Sequence, residues 1–211
     1  MTSAPTLLQR ALGAAALTLA LASPCAQAGL VTFDPVDEQG ITLDAGDAIS
    51  TPGFSFTQIN AAPATLFAGD SSGYASNGSN ILFAGNGAQI LLSATQTGRF
   101  NILSLEVGGG SLGDPGSWAT ELMLIGLTAD NMTLTDSVML DVNSTGLAFK
   151  SLNWQNLTQL SFRVSGGDYS LDNLNLQAVP EPSSWTLALA ALVVLLARFV
   201  QKRRATPICP W

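Results

Sequence analysis

What could do chemistry between Gly29 and Ala178 is a scatter of carboxylates and a few aromatic rings; none of the 211 residues is histidine. Lack of imidazole removes most metal-hydrolase sites, the usual nucleophilic triads and most general-base schemes. Both cysteines, Cys25 and Cys209, fall outside this region, so it has no thiol nucleophile and no internal disulfide. No serine sits in a Gly-x-Ser-x-Gly elbow. Carboxylate pairs remain, Asp34 with Asp37 and Glu38, or Glu106 with Glu121. Such pairs could hydrolyse a glycoside if folding set two of them about 5–10 Å apart across a cleft. No motif pairs them. The region is therefore expected not to be an enzyme, with a polysaccharide hydrolase as the remote alternative.

Rings and one aspartate carry the binding possibilities. Tyr74, Trp118 and Trp154 lie in or next to Gly/Asn/Ser-rich segments. There an exposed ring could stack on the C–H face of a sugar, or plug the end of a core instead. Asp172, in Leu171-Asp172-Asn173-Leu174, poses a parity problem. In a regular strand it shares a face with Leu174 and Leu176, and a carboxylate on a core face needs a cation or strong donors. Calcium, with its six to eight hard oxygens, would satisfy it. Tyr169 and Leu171, however, sit on the opposite parity from Leu174. That favours a bulge at Asp172-Asn173 that turns the side chain away.

These residues must be positioned by strands. Short apolar segments recur at Leu30–Asp34, Phe54–Ile59, Ile81–Ala84, Gln89–Ala94, Phe100–Val107, Glu121–Leu127, Leu134–Val142, Leu160–Val164 and Tyr169–Gln177. Turn chemistry separates them, as in Asn77-Gly78-Ser79-Asn80, Gly85-Asn86-Gly87 and Gly166-Gly167-Asp168. Leu160 to Val164 alternates apolar and polar with period two, while Glu121 to Leu127 is apolar on both parities, as in a strand covered on both faces. No window carries a capped helical stripe. The pattern predicts an all-β fold, a single jelly-roll-like β-sandwich. Gln177 to Ser183 reads as a linker.

The charge of Gly29–Ala178 is extreme: 14 acidic against 3 basic side chains (Arg99, Lys150, Arg163), a net charge of −11 where the whole chain carries −7. Such a surface repels nucleic-acid phosphates, so no nucleic-acid partner is expected. It suits neutral sugars, cations or plain solubility.

Both ends of the chain read as addresses. Arg10 precedes an apolar stretch from Ala11 to Ala22, and Ala26 and Ala28 are the small residues a signal peptidase reads. Residues 1–28 are thus expected to be a secretory signal peptide. At the other end, Val179-Pro180-Glu181-Pro182-Ser183-Ser184 leads into Trp185, an apolar run, Arg198 and the cluster Lys202-Arg203-Arg204. Two prolines hold the motif extended. Trp185 to Val200 is somewhat short of the roughly 20 residues a spanning helix needs, with Trp185 at one interface and Arg198 snorkelling at the other. The basic cluster should stay cytoplasmic, with everything before Pro180 outside.

Residues 179–211 resemble the PEP-CTERM sorting signal of exported bacterial proteins. The resemblance implies handling by an exosortase-type membrane enzyme and initial anchoring in the inner membrane through the C-terminal helix. It also implies a final place at the cell surface or in an extracellular matrix, in association with exopolysaccharide. Leu171-Asp172-Asn173-Leu174 shortly before that signal resembles the strand that closes many such exported domains and some jelly-roll carbohydrate-binding modules. That second resemblance implies a structural calcium at Asp172, with Asp34 of Val31-Thr32-Phe33-Asp34 as the first-strand donor. No other cofactor is expected. The leading expectation is an exported, non-enzymatic surface or matrix protein; the alternative is a carbohydrate-binding or adhesive module with a defined ligand site.

Overall fold

The computed structural model describes residues 28–34, 44–60, 65–69, 73–96, 98–109 and 117–179, together with Leu192 and Val194. Eleven strands are present among them: β1 (Ala28–Val31), β2 (Ala48–Thr51), β3 (Phe54–Gln58), β4 (Thr65–Gly69), β5 (Ile81–Gly85), β6 (Ile90–Ala94), β7 (Phe100–Gly108), β8 (Glu121–Thr128), β9 (Thr133–Met139), β10 (Ala148–Arg163) and β11 (Tyr169–Ala178). All strand pairings are antiparallel, in the order β2-β3-β6-β10-β7-β11-β5-β4, with β1 on β11 and the β8–β9 hairpin on β10.

One strand explains how this sheet folds over on itself. The first part of β10, from Ala148 to Leu157, pairs with β7, whereas its last part lies between β6 and β8. The pairing with β7 shifts register twice, between Ser151 and Trp154 and between Trp154 and Leu157. Asn153 (φ 55°) and Asn156 (φ 57°) fall inside those shifts in the left-handed conformation. Asn tolerates that conformation because its short side chain can bond locally; here Asn153 Nδ2 donates to Ser151 Oγ at 2.9 Å. The result is a β7 half (start of β10, then β7, β11, β5, β4 and β1) and a β6 half (β2, β3, β6, end of β10, β8 and β9).

The apolar sides of both halves meet in one core. Phe56, Ile90, Leu92, Leu124, Leu160 and Phe162 come from one half; Ile102, Leu105, Val107, Leu171, Leu174 and Leu176 come from the other. Phe33 packs edge-on against Phe56 at 5.2 Å and Phe54 against Phe100 at 5.9 Å. Tyr169 is fully buried, and its hydroxyl donates to the Ala88 carbonyl at 3.0 Å. Burial pushes its phenol well above the ordinary range.

Several strands differ from expectation. β2, β4 and the first twelve residues of β10 carry no strong period-two signal, and pairing with neighbours decides them. β9 ends at Met139, not Val142, because Asp141 and Ser144 close a turn there. β8 is not covered on both faces: it alternates, with Leu122 and Leu124 in the core and Met123 47% exposed. β11 runs through Gln177 to Ala178, and Val179 N donates to Arg99 O at 3.0 Å, so the chain is still paired where a linker was expected. Ala26, Pro180 to Ser184, Arg198 and Lys202 to Arg204 lie outside the described residues. Among the described residues no helix is long and apolar enough to cross a membrane.

Candidate functional site

The outer side of the β7 half carries a row of three side chains on three adjacent strands. Phe149 of β10 stands opposite Glu106 of β7, which stands opposite Asp172 of β11. Core residues on these strands are Leu152, Leu105 and Val107, and Leu171 and Leu174, so the row points the other way. Phe149 is 69% exposed. Glu106 is held in place: Asn77 Nδ2 and Asn173 Nδ2 both donate to its Oε2, at 3.0 and 2.9 Å. A locked carboxylate beside an open ring is preorganised for a ligand with both an apolar face and hydrogen-bond donors.

Asp172 reaches the row through the bulge. Asn173 has φ 48°, and the pairing of β11 with β7 shifts register between Asp172 and Asn175. Tyr169, Leu171, Leu174 and Leu176 consequently all face the core despite their mixed parity. The Asp172 side chain faces outward, yet the residue is fully buried, because the turn around Asn77 covers it. Asn77 Nδ2 and Ser79 Oγ donate to its Oδ2 at 2.9 and 2.7 Å. Asn77 is itself fixed, since Ser79 N donates to its Oδ1 at 3.1 Å. Tyr74 anchors the start of this turn by packing on Phe83 at 4.3 Å over Ile81.

Asp34 accepts from Asn80 N at 3.0 Å, and its charge reaches Asp172. The Asp172 carboxyl is pushed up, first by burial and then, after the opposing bonds from Ser79, the Asn173 backbone and Asn77, by Asp34. Asp172 Oδ1 is buried and has no hydrogen-bond partner among the described residues. An orphaned carboxylate oxygen beside a second acid suits a hard cation, so Asp172 Oδ1 and Asp34 are the groups that would hold calcium. No group of three acidic, His or Cys side chains among the described residues is placed to hold a metal. Backbone carbonyls, neutral side-chain oxygens and water would complete the shell.

The three rings singled out in the sequence go to three different places. Tyr74 belongs to the covering turn. Trp154 packs against the core, where Gly126 makes room for it: a Cβ there would lie 2.9 Å from Trp154 Cε3. Trp118 lines a cleft of about 440 Å³ with Asn86, Thr120, Ser165, Gly167 and Asp168. It is bridged to Asp168, whose Oδ1 accepts from Asn86 N at 2.7 Å. Gly167 permits this approach; its φ is 85°, and a Cβ would lie 2.4 Å from the Trp118 carbonyl carbon. Trp118 Nε1 is buried without a partner among the described residues.

Other pairs do not assemble. Glu106 lies outside the β7 half and Glu121 outside the β6 half, facing away from each other. Asp37 and Glu38 lie outside the described residues. The Trp118 cleft is lined by one carboxylate, Asp168. A second groove of about 430 Å³, between β1 and the β2–β3 hairpin, has none.

Phe149, Asn77 and the lock on Glu106 were not foreseen as site features. Phe149 follows Asn143-Ser144-Thr145-Gly146, which reads as a loop, and nothing local marks the strand it begins.

No protein-family model matches the chain, and no curated protein matches it. The chain is similar to several solved structures, two of which follow. One is the CBM22-1 xylan-binding domain of Paenibacillus barcinonensis Xyn10C, at TM-score 0.37 and 13% identity, over 66% of this chain and 99% of that one. The other is an agarase, AgWH50C, at TM-score 0.35 and 8% identity, over 65% of this chain and 26% of the agarase. At those scores the likeness assigns neither a ligand nor a residue role.

Proposed function

We propose that this chain is an exported, non-hydrolytic, jelly-roll-like β-sandwich that holds extracellular polysaccharide on the outer side of its β7 half. The observation that carries the reading is the Phe149–Glu106 juxtaposition: an exposed ring fixed by strand register beside a carboxylate fixed by two amides. A sugar offers that pair a C–H face for the ring and hydroxyl donors for the carboxylate. Hydrolysis is not favoured, since Glu106 and Asp172 stand side by side on one sheet face and not across a cavity. The test is affinity electrophoresis of the purified protein through gels containing a panel of polysaccharides. At least one should retard it, and Phe149→Ala should weaken retardation about tenfold or more, some 1.4 kcal/mol. Retardation by none, or retention of full binding by the variant, defeats the reading. Release of reducing sugar abolished by Glu106→Gln would instead return the hydrolase.

The tail enters the same proposal as a PEP-CTERM signal read by an exosortase-type enzyme, with the signal peptide removed by signal peptidase. Its support is the sequence Pro180-Glu181-Pro182 ahead of an apolar run and a basic end. Replacing Glu181 should leave the tail attached and the protein in the inner membrane. A blot showing unchanged size and location would remove the proposal.

A further inference from the structure

We infer that the polysaccharide held at the Phe149–Glu106 pair is a cationic amino-sugar polymer, one whose hexosamine units carry free ammonium groups. The inference rests on the polysaccharide-holding reading and narrows its ligand by charge. Phe149 and Glu106 stand opposite each other on neighbouring strands, ~4.8 Å apart across the sheet, the ring exposed and the carboxylate partly so. The donors on Glu106 are both neutral amides, from Asn77 and Asn173, which orient the carboxylate without cancelling its charge. The nearest basic residue along the chain, Lys150, is turned to the other edge, where it pairs with Asp136 at 2.7 Å. Asp34 and Asp172 add to the acidic character of the same side, Asp172 from beneath the Asn77 turn. This lies within a region that carries 14 acidic and 3 basic side chains.

A neutral glycan would use the ring but strip water from Glu106 without returning a positive charge. A polyuronate or sulfated glycan would be repelled. An ammonium-bearing sugar satisfies both parts of the row: its charge meets the carboxylate in a charge-assisted hydrogen bond, and it is attracted to the face of the phenyl ring. Amine and sugar ring lie in the same unit, so a single residue of the polymer can engage both.

The experiment compares full-length protein in detergent against soluble polyglucosamine, its N-acetylated counterpart, a neutral β-glucan and a polyuronate, in mildly acidic buffer where the amines are charged. Polyglucosamine should bind at least ~10-fold tighter than its N-acetylated counterpart, with an affinity that falls as salt rises. Glu106→Gln, which keeps the shape and the amide contacts, should reduce that preference to about twofold or less, while Phe149→Ala weakens both polymers. Thermal melts of both variants check that the fold is retained, and Phe149→Leu separates loss of the ring from loss of bulk. Equal binding of acetylated and free-amine polymers that still depends on Phe149 overturns the amine inference and leaves the polysaccharide reading standing. Polyglucosamine binding indifferent to both substitutions overturns the inference as unspecific attraction to an acidic surface. Absence of any Phe149-dependent glycan binding overturns both.

Discussion

The two outer faces of the sheet are built from the same strand chemistry and end up very different. On the β6 half, Ser55 and Thr57 of β3, Leu91 and Ser93 of β6, Ser161 and Arg163 of β10, Met123 and Ile125 of β8, and Thr135 and Ser137 of β9 point away from the core. That face is mostly small hydroxyls and aliphatic chains, with Arg163 and Glu121 at its end and no aromatic ring among these residues. On the β7 half, the corresponding positions hold Phe149, Glu106 and Asp172, and a turn folds down to donate hydrogen bonds to the two carboxylates. Hydroxyl side chains on a pleated surface satisfy themselves with water and need no cover. A carboxylate row does, and the donors recruited to satisfy it also fix its geometry.

Breaking the covered face should therefore cost far more than editing the bare one. Asp172→Ala removes the acceptor shared by Asn77 and Ser79 and leaves both donors in a closed turn. The expected loss is about 1–3 kcal/mol. Thr135→Ala, on the exposed edge of the β6 half, should stay within about 0.5 kcal/mol. Denaturant unfolding of both variants measures the contrast; equal losses would mean that the turn contributes no special constraint.

How much of this was legible follows from range. β6 and β7 could be read because each buries an alternating face, and β5, buried at every position, and β11 because turn residues bound a short apolar segment. The bulge at Asp172 was also readable, since Tyr169 and Leu171 against Leu174 and Leu176 cannot share a side in a regular strand. β10 was half missed: Asn153 and Asn156 break its rhythm, and the left-handed Asn156 is held by a partner far away in sequence, Asn101, whose Oδ1 accepts from Asn156 N. Glu106 could be listed as a carboxylate, but its neighbours Phe149 and Asn77 lie 43 and 29 residues away in opposite directions. Only strand order places them together.

The titration of the covered face sharpens the comparison. Asp172 has its folded-state pKa raised, so the folded protein holds more protons than the unfolded chain between the ordinary carboxylate value and the raised one. Stability contributed by this group is then fully present at low pH and is lost as pH rises through the raised value. Asp172→Asn should flatten that part of the pH profile of melting temperature. Calcium should do the same from the other side. If it binds Asp172 Oδ1 and Asp34, adding it near neutral pH raises the melting temperature by the mass-action term RT ln(1 + [L]/Kd), and Asp172→Asn abolishes the gain. A melting temperature indifferent to calcium in the unmodified protein would leave the pair as a hydrogen-bonded cluster without an ion.

The smallest effect belongs to the seam between the two halves, at Asp136 of β9 and Lys150 of β10. Lys150 Nζ lies 2.7 Å from Asp136 Oδ2 and donates to Ser137 O at 3.2 Å. The hydrogen bond from Lys150 holds the Asp136 carboxyl below its ordinary range, so this contribution has the opposite sign from that of Asp172: present above the ordinary carboxylate value and lost as pH falls through the lowered one. Both side chains remain partly open to water, at 25% and 40% exposure, so screening limits the pair and Lys150→Met should cost no more than about 1 kcal/mol. The more telling readout is association. Among the described residues β9 pairs with β8 alone, and Lys150 reaches across its other edge to donate to a backbone carbonyl of that strand. Edge strands with unpaired carbonyls and exposed apolar neighbours, here Met132 and Met139, template pairing with another chain, and a lysine on the edge opposes that. Lys150→Met should therefore leave melting nearly unchanged while raising the dimer and higher-oligomer fraction in sedimentation at high protein concentration. A variant that melts early but stays monomeric would show that the ion pair matters for stability and not for guarding the edge.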